Sequence, residues 1–281
     1  MEKKLFVLIG IVGLFLISVL GPQPAVAVNI AVYGDYTIDD FLKSKGYSVT
    51  VVSDFDLKTN GFLDSYDIFI HTRPPGFGSN ILSEEGAANI KRFVTGNVVL
   101  FMTDLADMIG DGPQAGLDPQ RYAETALLNA VRVASAGGQR GYIGEFHGAA
   151  VALSSNPLAQ YGKIHLDLLP GNLTGLAVTD DSASFSVSDI VDRNHPLLAG
   201  LPNPYDLKGG QEYIFASEGV PSSFVVARGP LGSSIPYPTV LAWTRFAVPE
   251  PASFFSLLGA LAGLVSICRK KSPRKGLPGR A

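Results

Sequence analysis

The 281-residue chain carries a single cysteine, Cys268, and it lies in an apolar stretch near the C-terminus. The rest of the chain can form no disulfide, no thiolate metal site and no cysteine nucleophile. Histidine is scarce too. His71, His147, His165 and His195 are spaced in a way that fits no local zinc motif. A dinucleotide fingerprint is missing: Gly34-Asp35 stands alone after an apolar run, and Gly76-Phe77-Gly78 lacks the third glycine and the strand-to-helix setting. Asp180-Asp181 has no EF-hand pattern around it and reads as a solvated turn. The sequon Asn172-Leu173-Thr174 predicts nothing by itself. No cofactor is expected.

Positive charge is deficient in the body of the chain. The whole sequence has 22 Lys and Arg against 25 Asp and Glu. Eight of the basic residues and two acids, Glu2 and Glu250, fall in the two ends, 1–27 and 249–281. The remainder holds 14 basic and 23 acidic residues, a net charge near −9. Such a body argues against nucleic acid as a partner, since phosphate binding needs a basic face. It argues against adhesion to anionic lipid as well.

What the ends do contain is patterned. Lys3 and Lys4 precede an apolar run over 5–20, Gly21-Pro22-Gln23-Pro24 breaks it, and Ala25-Val26-Ala27 matches an A-x-A cleavage site. This predicts a signal peptide over 1–27, cut after Ala27 to leave Val28 as the mature N-terminus. At the other end, Val248-Pro249-Glu250-Pro251 is followed by residues 252–268, from Ala252 to Cys268, with no charge and no proline. As a helix that run spans about 26 Å, close to a hydrocarbon core of about 30 Å. Helix is the form lipid permits, because it offers no partner for exposed backbone groups. Arg269, Lys270, Lys271, Arg274, Lys275 and Arg280 follow, and no acid follows Glu250. This asymmetry predicts a transmembrane helix with its C-terminal end in the cytoplasm and everything before Pro249 on the far side.

The order of a Val-Pro-Glu-Pro motif, a short span and a basic end over 248–275 resembles the PEP-CTERM sorting domain. The resemblance implies a bacterial, exported protein handled by an exosortase, a membrane peptidase that cuts near the Pro-Glu-Pro. Residues 276–281 then form a basic cytoplasmic end, and the extension Ser272–Ala281 is longer than the usual stub. The implied route is export across the inner membrane, anchoring by the C-terminal helix, and passage to the outer surface or extracellular matrix after processing.

The segment 28–247 suits one domain with a full core. Its first half alternates in period. Apolar runs at 29–33, 47–52, 67–71 and 97–102 predict strands, and 38–45 and 83–94 predict helices. Asp39 and Asp40, and Glu84 and Glu85, sit in the first turns of those helices, where the dipole favours acids. This order predicts an α/β fold with a mainly parallel sheet and helices on its faces. A helix is expected at 122–133, and strands near 176–178, 185–187, 212–216, 223–228 and 239–243.

The opening strand, Tyr66-Asp-Ile-Phe-Ile-His71, and Asn194-His195-Pro196-Leu197-Leu198-Ala199-Gly200-Leu201-Pro202 with Gln211-Glu212-Tyr213 are similar to the class I glutamine amidotransferase-like superfamily. The resemblance covers about 29–245 and implies a flavodoxin-like three-layer sandwich. Catalytic members are implied to use a cysteine on a sharp turn after a central strand, with His and Glu partners. The matching strand end here is expected at Phe101-Met102-Thr103-Asp104, which has none. Thr103 would need an adjacent base to act as a nucleophile, and Asp104 reads as a loop or capping residue. His195 precedes a proline and reads as part of a structural turn.

Ligands of open α/β sheets bind at the carboxyl ends of the strands. The expected cleft is therefore lined by Tyr33, Asp35, His71, Arg73, Thr103 and Asp104. The expected role is non-catalytic: a surface or matrix-associated domain binding a glycan, a small molecule or another protein, with extracellular polysaccharide favoured by the resemblance of the tail. An extracellular hydrolase using polar residues at the strand ends is the alternative, and a purely structural surface protein is a third reading.

Overall fold

The structure, a computed structural model, describes residues 28–34, 37–72, 82–101, 105–110, 117–145, 167–169, 177–178, 187–206, 213–214, 222–229 and 237–247. The signal peptide, the sorting motif Val248, Pro249, Glu250 and Pro251, and the apolar run 252–268 lie outside the described residues, as does the basic end. No helix of the described residues is long and apolar enough to cross a membrane.

The fold is α/β. Five strands form a parallel block: β1 (Asn29–Tyr33), β2 (Ser48–Val51), β3 (Ile68–His71), β4 (Val98–Phe101) and β5 (Gly141–Glu145). They stand in the order β2-β1-β3-β5-β4. Antiparallel strands extend the sheet beyond β4: β11 (Tyr237–Trp243), β10 (Val225–Gly229), β7 (Val187–Ile190) and β8 (Tyr205–Asp206), completing nine strands. A separate two-stranded sheet pairs β6 (Ala177–Val178) with β9 (Tyr213–Ile214).

Successive residues of a strand point to opposite faces, so a strand apolar throughout must be covered on both. β1 and β3 meet that requirement. Ile30, Val32, Ile68 and Ile70 pack with Ile38 and Leu42 of α1 (Thr37–Ser44), Leu105 and Met108 of α4 (Leu105–Gly110), and Leu127 and Val131 of α5 (Leu117–Ala134). Ala31, Tyr33 and Phe69 face the other way. They pack with Leu57 of α2 (Asp54–Lys58) and with Ile90 and Phe93 of α3 (Glu84–Phe93). Helices therefore cover both faces of the parallel block.

The helix starts follow local chemistry. Ser53 caps α2 in a capping box with Asp56, and Ser83 accepts from the Gly86 amide at 3.1 Å to cap α3. Asp54 ties the two starts together, accepting from the Ser83 amide and hydroxyl, each at 2.8 Å. Burial alone would raise the Asp54 carboxyl, but the Ser83 hydrogen bonds and Lys58 outweigh it and hold the group below the usual carboxylate range.

The strand next to β3 is β5, which the apolar pattern does not single out. β5 is buried along its whole length. It occupies the position between β3 and β4, so the carboxyl end neighbouring His71 is Gly144-Glu145 rather than Phe101-Met102.

Candidate functional site

The carboxyl edge of the parallel block begins at the point where the chain order reverses. β2 lies on one side of β1 and β3 on the other, and the helices that follow these strands, α1 and α3, cover opposite faces of the sheet. Tyr33 ends β1 and His71 ends β3, paired with each other across the ladder. Of the expected cleft residues these two are described. Asp35, Arg73, Thr103 and Asp104 lie outside the described residues.

Tyr33 and His71 are brought together, but inside the core. Tyr33 is 4% exposed and His71 is fully buried. Their rings meet edge to face with centroids 5.4 Å apart, and His71 makes a second such contact with Phe69 at 5.9 Å. His71 Nδ1 lies 2.8 Å from the Tyr142 hydroxyl of β5. Burial pushes the Tyr142 phenol well above its ordinary value, so the pair shares a hydrogen bond between a phenol and an imidazole, with the ring tautomer deciding which is the donor. Burial first, and the nearby charge of Asp54 second, push the Tyr33 phenol up to about 12.

Glu145 is the acid that the sequence pattern leaves unassigned. It ends β5, is 3% exposed, and its carboxylate accepts from the backbone N–H of Leu105 at 3.0 Å and of Ala106 at 3.4 Å. These are first-turn amides of α4, which have no acceptor within their own helix. Glu145 thus fixes where the chain re-enters after β4.

His71 and Glu145 project from opposite faces of the sheet. His71 pairs with Gly144, so Glu145 stands one residue further along the neighbouring strand, and the pleat sends the two side chains to opposite faces. His71 packs with Phe69 and Tyr142 on the α2/α3 side, while Glu145 meets α4 on the other. His71 and Glu145 nevertheless both border one crevice, with Thr72, Ile38, Phe101 and Leu127, and it has no room for a single water molecule.

His195 is the N-cap of a short 3₁₀ turn, Pro196–Leu198, and its Nδ1 accepts from the Leu197 amide at 3.2 Å. Burial holds its imidazole below the ordinary value, with Asp192 opposing in part. Among the described residues no three His, Cys, Asp or Glu side chains gather in a way that could hold a metal ion.

At the opposite edge of the sheet a second polar cluster closes on Asn97, the residue before β4. Its side chain is fully buried. Nδ2 donates to the carbonyls of Val133 at 2.7 Å and Phe246 at 3.0 Å, and Oδ1 accepts from the amides of Arg245 at 2.7 Å and Phe246 at 2.9 Å. One side-chain amide therefore satisfies two donors and two acceptors where the chain leaves β11. An asparagine after an apolar helix is an ordinary turn signal, so nothing local distinguishes this one.

No family model, no curated protein and no solved structure matches the chain.

Proposed function

We propose that this chain is an exported bacterial protein, sorted by an exosortase through a PEP-CTERM-type tail. Its body is a flavodoxin-like, class I glutamine amidotransferase-like domain that binds a glycan, a small molecule or another protein at the surface or in the matrix. The observation that carries the reading is the ordered tail: Val248-Pro249-Glu250-Pro251, then seventeen uncharged residues, then six Lys or Arg. The parallel block with helices on both faces supports the body assignment. Support for binding over turnover comes from the strand ends. His71 is wired to Tyr142 and Glu145 to the α4 amides, on opposite faces of the sheet, so neither is poised to pass a proton to a common reactant.

Intact-mass measurement of the protein from cells with and without exosortase activity tests the sorting. The expected product begins at Val28 and ends near Pro249 to Pro251 when the peptidase is active, and keeps the span when it is not. Full-length chain dissolved in the cytosol, with Met1 and Ala281 both present, would overturn the reading.

A further inference from the structure

The edge of the sheet opposite the expected cleft has three properties that point to one partner. It is where the chain leaves the body at both ends. β1 is parallel to β3 and β5, so Asn29 and the residue before it lie at the amino edge. β11 runs antiparallel to β4, pairing Trp243 with Val98, so the exit towards Val248 lies at the same edge.

The exit is also pinned. Asn97 holds Arg245 and Phe246, the Arg245 guanidinium lies 3.6 Å above the Trp243 ring, and it donates to the Thr95 carbonyl at 3.2 Å. Only residues 247–251 separate the pinned Phe246 from Ala252. The six steps from Phe246 to Ala252 reach at most roughly 22 Å even fully extended. If the run from Ala252 is in the bilayer, the amino edge cannot stand far from its surface. The carboxyl edge is then held about 17 Å further out, the length of a five-residue strand.

Charge is distributed along the same axis. The longer helices α1, α3 and α5 each lead back to the amino edge, where β2, β4 and β5 begin, so their first and last turns lie towards opposite edges. Asp40, Glu84, Glu85 and Asp118 are exposed in first turns, while Asp39 is buried and paired with Lys43. At the amino edge Lys45, Arg92, Arg132 and Arg245 are exposed and make no ion pair among the described residues. Of the acids on that side, Asp64 is taken by Arg140 at 2.8 Å, Asp67 accepts from the Asn29 amide at 2.8 Å, and exposed Asp192 accepts from the Asn194 amide, so they offset only part of the four cations. A body with a net negative charge thus keeps a cationic end.

We propose that the amino edge is a membrane-apposed surface that lies against anionic phospholipid headgroups while the tail is anchored. The proposal deepens the sorting reading above and rests on it. Headgroup charge attracts the Lys45, Arg92, Arg132 and Arg245 edge and repels the acidic carboxyl edge. Because screening confines this field to about a Debye length, the short pinned tether is what makes it effective. The net charge of the body argues against lipid adhesion of the whole; its segregation allows adhesion of one edge. The ligand edge is left facing away from the bilayer.

The test uses the full chain with Cys268→Ser, reconstituted in phosphatidylcholine vesicles with and without phosphatidylglycerol. A fluorophore is placed by Gln139→Cys at the amino edge or Glu85→Cys at the first turn of α3, both exposed, and quenched by headgroup-nitroxide lipid. The Gln139 probe is expected to be quenched several-fold more than the Glu85 probe. The difference should grow with phosphatidylglycerol and shrink in a Lys45→Glu, Arg132→Glu double variant. Equal quenching, stronger quenching at Glu85, or indifference to phosphatidylglycerol in vesicle-bound protein overturns the orientation and leaves the anchor intact. Protein that does not float with the vesicles overturns the anchor itself, and the orientation with it.

Discussion

Asn97 and Phe246 exchange two hydrogen bonds across 149 positions of sequence, amide nitrogen to carbonyl at 3.0 Å and backbone N–H to amide oxygen at 2.9 Å. This reciprocal pair joins the start of β4 to the end of the body. Asn97→Ala removes both bonds, together with those to Val133 and Arg245, and leaves Val133 a buried carbonyl without its partner. The expected cost is about 2–4 kcal/mol. Asn97→Asp keeps the acceptor but sets an anion against the Val133 and Phe246 carbonyls, so it should be no milder. Chemical denaturation of the full chain in detergent reads the loss. Limited proteolysis of Asn97→Ala should cut at Arg245 before the body unfolds. An unchanged midpoint with unchanged protection of Arg245 would show that the clamp holds nothing.

Glu145 makes a different kind of link, between a strand end and the first turn of a helix. Glu145→Gln keeps a carbonyl oxygen for the Leu105 amide, so a smaller cost of about 1 kcal/mol is expected. Glu145→Ala strips the acceptor from two α4 amides and should cost about 2–3 kcal/mol. Amide hydrogen exchange at Leu105 and Ala106 distinguishes this from general loosening. Protection there should fall in the alanine variant by more than it falls in β1. Equal loss at both would mean that Glu145 does not position α4.

Glycine spacing around β5 sets up a contrasting pair of substitutions. A Cβ on Gly141 would stand 2.1 Å from the Ala134 carbonyl oxygen, a backbone atom that cannot swing aside. Gly141→Ala should therefore separate α5 from β5 and cost more than about 3 kcal/mol, or prevent folding. Gly138 has φ +64 but open space around it. Gly138→Ala should cost only the left-handed backbone strain, about 1 kcal/mol. Thermal melts of the two variants check the ranking, and a Gly141→Ala protein as stable as Gly138→Ala would refute the close approach.

The same glycines explain what the sequence concealed. Residues 30–33 of β1, residues 68–70 of β3 and all of β4 are continuous apolar runs, and such runs announce a strand buried on both faces. β5 reads Gly-Tyr-Ile-Gly-Glu, with glycine at two of five places and a charge at the end, although it sits among the inner strands of the sheet. Its strand character comes from tertiary fit: glycine where Ala134 comes close, and tyrosine where His71 needs a partner. The start of α3 was legible because Ser83 and the acids after it act within one turn, whereas α2 and α4 are too short to show an apolar period and α5 begins at Leu117, ahead of the expected Tyr122. Asn97 and Glu145 act across 149 and 40 positions, and no local pattern encodes such partners. For the expected cleft, the edge of the sheet was readable and the interior placement of Tyr33 and His71 was not. A residue ending a strand can face solvent or core, depending on what packs over it.

His195 gives the body a pH dependence whose sign can be worked out. Burial holds its imidazole below the ordinary value despite the opposing pull of Asp192. The folded protein therefore takes up that proton less readily than the unfolded chain does. Below the unfolded value of about 6.5 the unfolded state binds more protons, so stability falls as pH drops. The contribution is full above that value, and the loss levels off once the lower folded value is passed. His195→Asn removes the titration and keeps an N-cap acceptor for the Leu197 amide. The melting temperature of the unmodified chain should fall more steeply than that of the variant between about pH 7 and pH 5. Above about pH 7 the two curves should run parallel. Parallel curves across the whole range would mean that His195 titrates as if it were in water, and that the capped turn at Pro196 does not exclude its charged form.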